Sequence, residues 1–450
     1  MPSNLRDQML AVIADVNAQV AEREELVEMI AIALLTGKNL FILGAPGQAK
    51  SYAINAFRSR ITGARQFERL LSKQTDEEQL FGRIDLASLL PGGVAQAVLD
   101  SDPRYQQMHS SLKDRLANGQ DAGELPEQME RHRKALAELH GSEPQVNTTG
   151  KIPESDICFI DEIFKCNDGV LNSLLTALNE RKYTNEGRTY PIPTISFFAA
   201  SNEIPNFNDS QEKILEALYD RLELKVVTEN IFDRNKRMTI LRNKQSKRNE
   251  QIVASITLEQ LLDMQKEVQL VSIPDAVNDL ADGILFELRR NGISISDRKY
   301  LSYYPIAQAK AWLSGHAMVQ TVDLLALKNY LWRKPADRAM VEATLTRMCV
   351  NPMQDKVNNI RGMAAEAHGD FETASKDTSK PDAAKKALIK LRGELVRLYG
   401  MQQELANSSQ SDSETALTAE LLDDLEKINR SAHEALQYTP IPLSQLAALQ

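Results

Sequence analysis

Gly44-Ala45-Pro46-Gly47-Gln48-Ala49-Lys50-Ser51 follows four apolar residues, Leu40-Phe41-Ile42-Leu43, and precedes a stretch that reads as helix, Tyr52 to Arg60. A buried strand, a glycine-bearing loop and Lys-Ser at a helix start is the layout of a phosphate-binding loop. Glycines let the backbone wrap closely, so that successive N–H groups point at an anion. The Lys50 ammonium can then reach the outer phosphates, and the Ser51 hydroxyl can ligate Mg²⁺. A nucleoside triphosphate is therefore the default ligand. The usual pattern places glycine directly before the lysine, where this chain has Ala49, one methyl larger. A Gly-Pro turn ahead of an ordinary helix would look the same locally, so the partner groups downstream decide.

The first partner is Ile157-Cys158-Phe159-Ile160-Asp161-Glu162. Four consecutive apolar residues predict a strand buried on both faces. It ends in two carboxylates at the edge where open α/β sheets place their ligands. Asp161 would hold Mg²⁺ and Glu162 would orient and deprotonate the attacking water. The plain alternative is a solvated acidic turn. A third apolar strand, Ile195 to Ala200, ends in Ser201-Asn202-Glu203. Asn202 is placed to hydrogen-bond the γ-phosphate and the water, although an isolated Asn is more often a helix cap or turn residue. Further on, Leu218-Tyr219-Asp220-Arg221 carries an arginine too far along the core to serve its own site. It could reach a neighbour's γ-phosphate, or pair with an acid of its own chain. Ile295-Ser296-Asp297-Arg298 opens a helical segment in a second, helical domain, and Arg298 could close that domain onto the nucleotide.

Taken in order, these motifs resemble the MoxR branch of the AAA+ ATPases, with RavA-type proteins the nearest likeness. Leu171 to Arg181 is similar to the helix that follows the Asp-Glu strand in that family, and Val322 to Trp332 resembles the end of its lid. The likeness spans roughly residues 5–335. It implies an α/β fold: a P-loop AAA+ core of parallel sheet flanked by helices, an all-helical lid and, here, a helical C-terminal region. It also implies a hexameric ring using ATP and Mg²⁺ to remodel or chaperone a protein client. Gly44, Ala45, Pro46, Gly47, Gln48, Ala49, Lys50 and Ser51 would be Walker A, and Asp161 and Glu162 Walker B. Asn202 would be sensor 1, Arg221 the arginine finger and Arg298 the sensor 2 arginine. Such proteins commonly work with a partner bearing a von Willebrand factor A domain, and no such module is visible in this chain.

Composition narrows the alternatives. A net charge of −9 disfavours the broad basic surface of a nucleic-acid tracker. The six Lys and Arg of 235–248 read as a solvated helix face. Three cysteines, Cys158, Cys166 and Cys349, lack metal spacing and suit a reducing compartment. The N-terminus shows no signal-like apolar stretch and no run is long enough to span a bilayer, so a cytoplasmic protein is expected.

The organisation expected is a core over 1–228, a lid over 229–335 and a C-terminal region over 336–450. Residues 1–38 read as helical. A polar insertion at about 100–149 reads as a helical hairpin, with Tyr105, Met108, Leu112 and Leu116 on one face and Met129, Leu136 and Leu139 on the other. Near the C-terminus, leucines at spacings of three and four predict a two-helix hairpin over 383–405 and 417–438. The polar stretch 368–380 reads as a flexible connection before it. The competing function is a nucleotide-dependent scaffold or assembly switch in which hydrolysis is incidental; Glu162 speaks against it, because a switch needs no base.

Overall fold

The computed structural model describes residues 5–89, 93–140, 146–185, 188–209, 212–245, 252–350, 352–375, 381–408 and 412–448. In chain order these form α1 (Leu5–Gln19), α2 (Glu24–Thr36), β1 (Leu40–Leu43), α3 (Lys50–Arg58), β2 (Ile61–Thr62), β3 (Gln66–Leu70), α4 (Glu77–Phe81) and β4 (Arg83–Ile84). There follow α5 (Gln96–Ser101), α6 (Pro103–Ala117), α7 (Leu125–His140), β5 (Val146–Asn147), β6 (Ile157–Asp161), α8 (Asp168–Glu180), β7 (Lys182–Asn185), β8 (Arg188–Pro191), β9 (Ser196–Ser201), α9 (Leu215–Asp220) and β10 (Leu224–Val227). The remainder is α10 (Arg234–Gln245), β11 (Ile256–Thr257), α11 (Leu258–Gln269), α12 (Asp275–Arg290), α13 (Asp297–Leu301), α14 (Tyr304–Ser314), α15 (Lys328–Leu331), α16 (Arg338–Val350), α17 (Pro352–Ser375), α18 (Pro381–Ser408), α19 (Asp412–Ala435) and α20 (Leu443–Ala448). Two compact units result: Met1–Pro274 with Ser296–Pro335, and Asp275–Ile295 with Ala336–Gln450.

The first unit is built on a five-stranded sheet in the order β10-β1-β9-β6-β3, with every pair parallel. Its central strands are apolar along their length because helices cover both faces: Leu40, Phe41, Ile42, Ile157 to Ile160 and Phe197 to Ala200 are all fully buried. Parallel strands put their C-terminal ends at one edge. Leu43 lies opposite Ser201, and Ile160 opposite Ala199, so the loops after β1, β6 and β9 leave the sheet side by side. The helix α1 is fastened to this core by a buried ion pair, Arg60 Nε to Asp15 Oδ2 at 2.7 Å. Removing one partner of such a pair typically costs about 3–5 kcal/mol, because the other charge is left buried.

The insertion is helical. The antiparallel pair of β4 with β5 closes its base, Arg83 opposite Asn147. Asp102 caps α6 by accepting the Tyr105 N–H at 2.6 Å and lies 2.9 Å from His132 Nε2 of α7, which holds the two helices together. Met129 and Leu136 are buried, Leu136 with Val94 and Leu99. Leu116 and Leu139, expected on the packed faces, are instead exposed. Each lies in the last turn of its helix, beyond the residues that cover Leu136.

In the second unit α12 and α16 pack together, and α17, α18 and α19 form a bundle around Val357, Ile360, Phe371, Leu391, Leu395, Leu398, Leu421 and Leu425. The expected two-helix hairpin is thus joined by a third helix. Residues 368–375 belong to α17 rather than to a connection, and 376–380 lie outside the described residues. Ala364 and Phe371 of α17 are buried. In the last part of the helix, residues 368–375, Phe371 is the one large apolar side chain, which is why that stretch read as polar.

Candidate nucleotide-binding site

The loop from Gly44 to Ala49 leaves β1 at the C-terminal edge of the sheet, beside the ends of β6 and β9. Its conformation explains its composition. Gly44 donates its N–H to Ser201 O at 3.1 Å. A side chain at Gly44 would collide with Thr228 Oγ1 and Gln48 Oε1, so only glycine fits there. Gly47 has φ +82 and Ala49 φ +58. The left-handed conformation costs a residue with a Cβ about 1 kcal/mol, which is why glycine is usual before the lysine. Ala49 adopts the same turn and carries that strain.

Lys50 opens α3 and is 7% exposed. Its ammonium donates to Asn202 Oδ1 at 2.7 Å, to Ala45 O at 3.5 Å and to Gly44 O. Burial lowers its pKa, and the Asp161 and Glu162 carboxylates act in the opposite direction. Ser51 Oγ donates to Asp161 Oδ2 at 3.4 Å. Asn202 Nδ2 donates to Glu162 Oε1, so one amide bridges the lysine and the second carboxylate. The backbone of Glu162 is left-handed, φ +53, with its N–H bonded to Asp161 Oδ1 at 3.0 Å. Its other carboxylate oxygen is 3.3 Å from Lys165 Nζ. Lys50, Ser51, Asp161, Glu162 and Asn202 are therefore brought together from three strand ends, as their order in the sequence predicted.

These groups line a cavity of about 580 Å³. Its other wall was not legible in the sequence: Gln19, Val20, Ala21 and Arg23 from the α1–α2 junction, with Ile231 and Ile240 from the segment after β10. The volume suits a nucleotide, with Ser51 and Asp161 placed for a cation and the apolar wall for a base. Among the described residues no group of three or more His, Cys, Asp or Glu forms a metal cluster, so a cation here would need oxygens from its ligand.

Arg221 and Arg298 stand elsewhere. Arg221 ends α9, just before β10, and its carbonyl accepts from Asn39 Nδ2 at 3.0 Å. Asn39 precedes β1, so this is the sheet edge opposite the loop, roughly 16 Å away at 3.3 Å per strand residue. The guanidinium donates through Nη1 to Ala217 O at 2.7 Å; Nε is buried with no partner, and it pairs with no acid among the described residues. Arg298 donates through Nη2 to Asn179 Oδ1 at 2.6 Å. Asn179 follows Leu178, whose carbonyl accepts from the same Asn39. Both arginines thus border the opposite edge, and neither is brought to the cavity.

Residues 7–104 and 134–266 match the MoxR domain in the MoxR-vWA-beta-propeller ternary systems, together just over half of the chain. Residues 273–345 match an AAA lid domain. Two uncharacterized proteins of Methanocaldococcus jannaschii are 27% and 26% identical over 379 and 367 residues, covering 84% and 81% of this chain and 83% and 81% of theirs. A structural protein of the Acidianus two-tailed virus is 23% identical over 51% of this chain and 30% of its own length. A crystal structure of a "putative ATPase" from Cytophaga hutchinsonii shares the fold at 16% identity, with a TM-score of 0.52 over 76% of this chain and 94% of that one. With the strand order, the loop and the carboxylates in place, the chain belongs to the MoxR family of AAA+ ATPases.

Proposed function

We propose that this protein is a Mg-ATP-dependent ATPase that completes its active sites between neighbouring subunits of a ring, hexameric in the family pattern, and uses hydrolysis to remodel a protein partner. The observation that carries this reading is the separation of the candidate groups between two edges of one sheet. The loop, the carboxylates and Asn202 lie at one edge, and the two arginines at the other. An arginine without an acidic partner beside its own core suits a role across an interface.

In this reading the amides of Gly47 to Ser51 and the Lys50 ammonium hold the β- and γ-phosphates, and Ser51 and Asp161 hold the cation. A cation held there by Ser51 and Asp161 would supply positive charge against that developing on the phosphate. Glu162 takes a proton from the attacking water while Asn202 keeps the water and Glu162 in register. The neighbour's Arg221 stabilises the equatorial oxygens in the transition state, and the neighbour's Arg298 clamps the phosphates from the same side. Arg298 is thereby assigned to the adjoining site rather than to its own.

The family description supports a partner bearing a von Willebrand factor A domain. Among the described residues no helix is long and apolar enough to cross a membrane, and the three cysteines are free, which supports a cytoplasmic setting. Steady-state MgATP hydrolysis per subunit, measured against protein concentration, tests the shared site. The rate per subunit is expected to climb as subunits assemble. A rate independent of concentration in a monomeric protein would return the scaffold or switch as the better description.

A further inference from the structure

Arg23 lines the cavity and belongs to none of the motifs. It is 6% exposed, in the turn between α1 and α2. The guanidinium faces backbone carbonyls from three separate stretches of chain. Nε and Nη2 donate to Gln48 O of the phosphate loop at 3.2 and 3.1 Å. Nη2 also donates to Glu229 O, after β10, at 2.5 Å, and Nη1 to Glu22 O at 2.7 Å. No carboxylate is among these acceptors. The neighbouring Glu22 carboxylate accepts the N–H groups of Phe232 and Asp233 at 2.8 and 2.9 Å. The turn 22–23 therefore holds both the loop that would cradle phosphates and the segment that carries Ile231 and Ile240.

We propose that Arg23 is a positioning residue for nucleotide binding: it holds the Gln48 carbonyl on its own guanidinium, which leaves the adjacent amides free for the phosphates, and locks the apolar wall in register with them. The proposal rests on the nucleotide reading of this cavity. A backbone carbonyl aimed inward would repel an anion, and a peptide plane turned outward presents its N–H to the opposite side. The guanidinium has five N–H groups in a fixed fork, and its nitrogens are committed to backbone carbonyls. It acts on the cradle through the main chain of the loop. A lysine has a single nitrogen and cannot span three acceptors held by three elements in this geometry.

The role differs from that of the groups at the strand ends. Arg23 acts on the cradle in every state, so its loss weakens ground state and transition state alike and appears in KM, with little change in kcat. In the Arg23→Met variant, MgADP Kd and MgATP KM are expected to rise at least about tenfold, on the scale of lost hydrogen bonds to a charged donor. The value of kcat at saturation should stay within about threefold. Arg23→Lys should recover only part of the affinity, and added guanidinium should partly restore binding to Arg23→Ala. Glu22→Gln keeps the bonds of Arg23 to the loop and relaxes the 232–233 anchor, so it should cost less affinity than Arg23→Met.

The wild type serves as control, with melting temperature measured with and without MgADP. A wild type that binds no MgADP removes the nucleotide reading itself. A wild type that binds, beside an Arg23→Met variant with unchanged ligand-free melting and a Kd within twofold, removes only the role of Arg23. Should Arg23→Met fail to fold, Arg23→Lys carries the test: full wild-type affinity overturns the proposal. A fall in kcat with KM unchanged would overturn it too.

Discussion

The two edges of the five-stranded sheet have different characters. At the C-terminal edge the side chains bind one another: Lys50, Asn202 and Glu162 form a continuous chain of hydrogen bonds, and Ser51 is tied to Asp161. At the N-terminal edge Asn39 and Arg181 satisfy the backbone, Arg181 donating to Asn39 Oδ1 at 2.8 Å and to Gly37 O at 3.1 Å. Arg221 borders that lattice with an unpartnered Nε, and Arg298 reaches it only through one hydrogen bond to Asn179. In the function proposed above, the first edge would bind the nucleotide and the second would offer its arginines to a neighbouring copy.

The largest effect should come from breaking the arginine edge. Arg221→Ala is expected to lower kcat by about 10³-fold or more, the range of a trans-acting arginine on phosphoryl transfer, and to leave MgADP binding unchanged. Doped into wild type, it should depress the rate by more than its mole fraction, because each variant subunit spoils its neighbour's site. Strict proportionality in the mixing curve would show that the two edges never meet.

Next in size is the cradle edge. Glu162→Gln keeps the shape of the side chain but removes the base, and should cost about 10²–10⁴ in turnover while ATP still binds. The pair of variants then separates the edges: mixing Arg221→Ala with Glu162→Gln should recover some activity, since some interfaces combine an intact base with an intact arginine. No recovery at any ratio would place both groups in one chain's own site.

Motifs at the cradle edge were legible because each is a short local pattern at the end of an apolar strand. Residues 157–162 needed only that four consecutive apolar positions be buried on both faces. The rest of the cavity was not. Arg23 lies 25 residues before Gln48, and its role depends on carbonyl directions that no side-chain pattern encodes. Arg298 illustrates a subtler limit. Its residue type and helix start were readable, but whether it faces its own cavity or Asn179 depends on how the chain returns to the sheet. The end of α17, residues 368–375, read as a connection because Phe371 is its one large apolar side chain, and a single buried residue sets no period.

A smaller effect sharpens the comparison on the arginine side. Lys299, next to Arg298, donates to Tyr330 O at 2.7 Å, and Tyr330 Oη donates back to Lys299 O at 2.7 Å. Burial lowers the Lys299 pKa to about 8, with Asp220 acting in the opposite direction. The unfolded chain keeps this proton up to about 10.4. Between those values the unfolded state holds more protons than the folded one, so stability gained from this group rises with pH. Below about 8 the group is charged in both states and its burial penalty is fully present. Melting temperatures of wild type and Lys299→Met should therefore converge or cross in favour of wild type from pH 7.5 to 10. A constant difference would mean that Lys299 keeps an ordinary pKa.

The smallest effect is expected at Ala49, where the cradle edge departs from the commonest loop pattern. In the left-handed conformation at φ +58 the methyl costs about 1 kcal/mol. Glycine relieves that strain, but it also frees the unfolded chain, which offsets about 0.4–1 kcal/mol of the gain. Ala49→Gly should thus change stability by only a few tenths of a kcal/mol, too little to move the melting temperature by more than a degree or so in a chain of this size. Because the loop already holds the conformation that glycine would favour, MgADP affinity should stay within about twofold of wild type. A fall of several degrees would mean that the Ala49 methyl packs against the core of the loop rather than merely being tolerated. The cradle would then owe its shape to that contact as well as to the brace at Arg23.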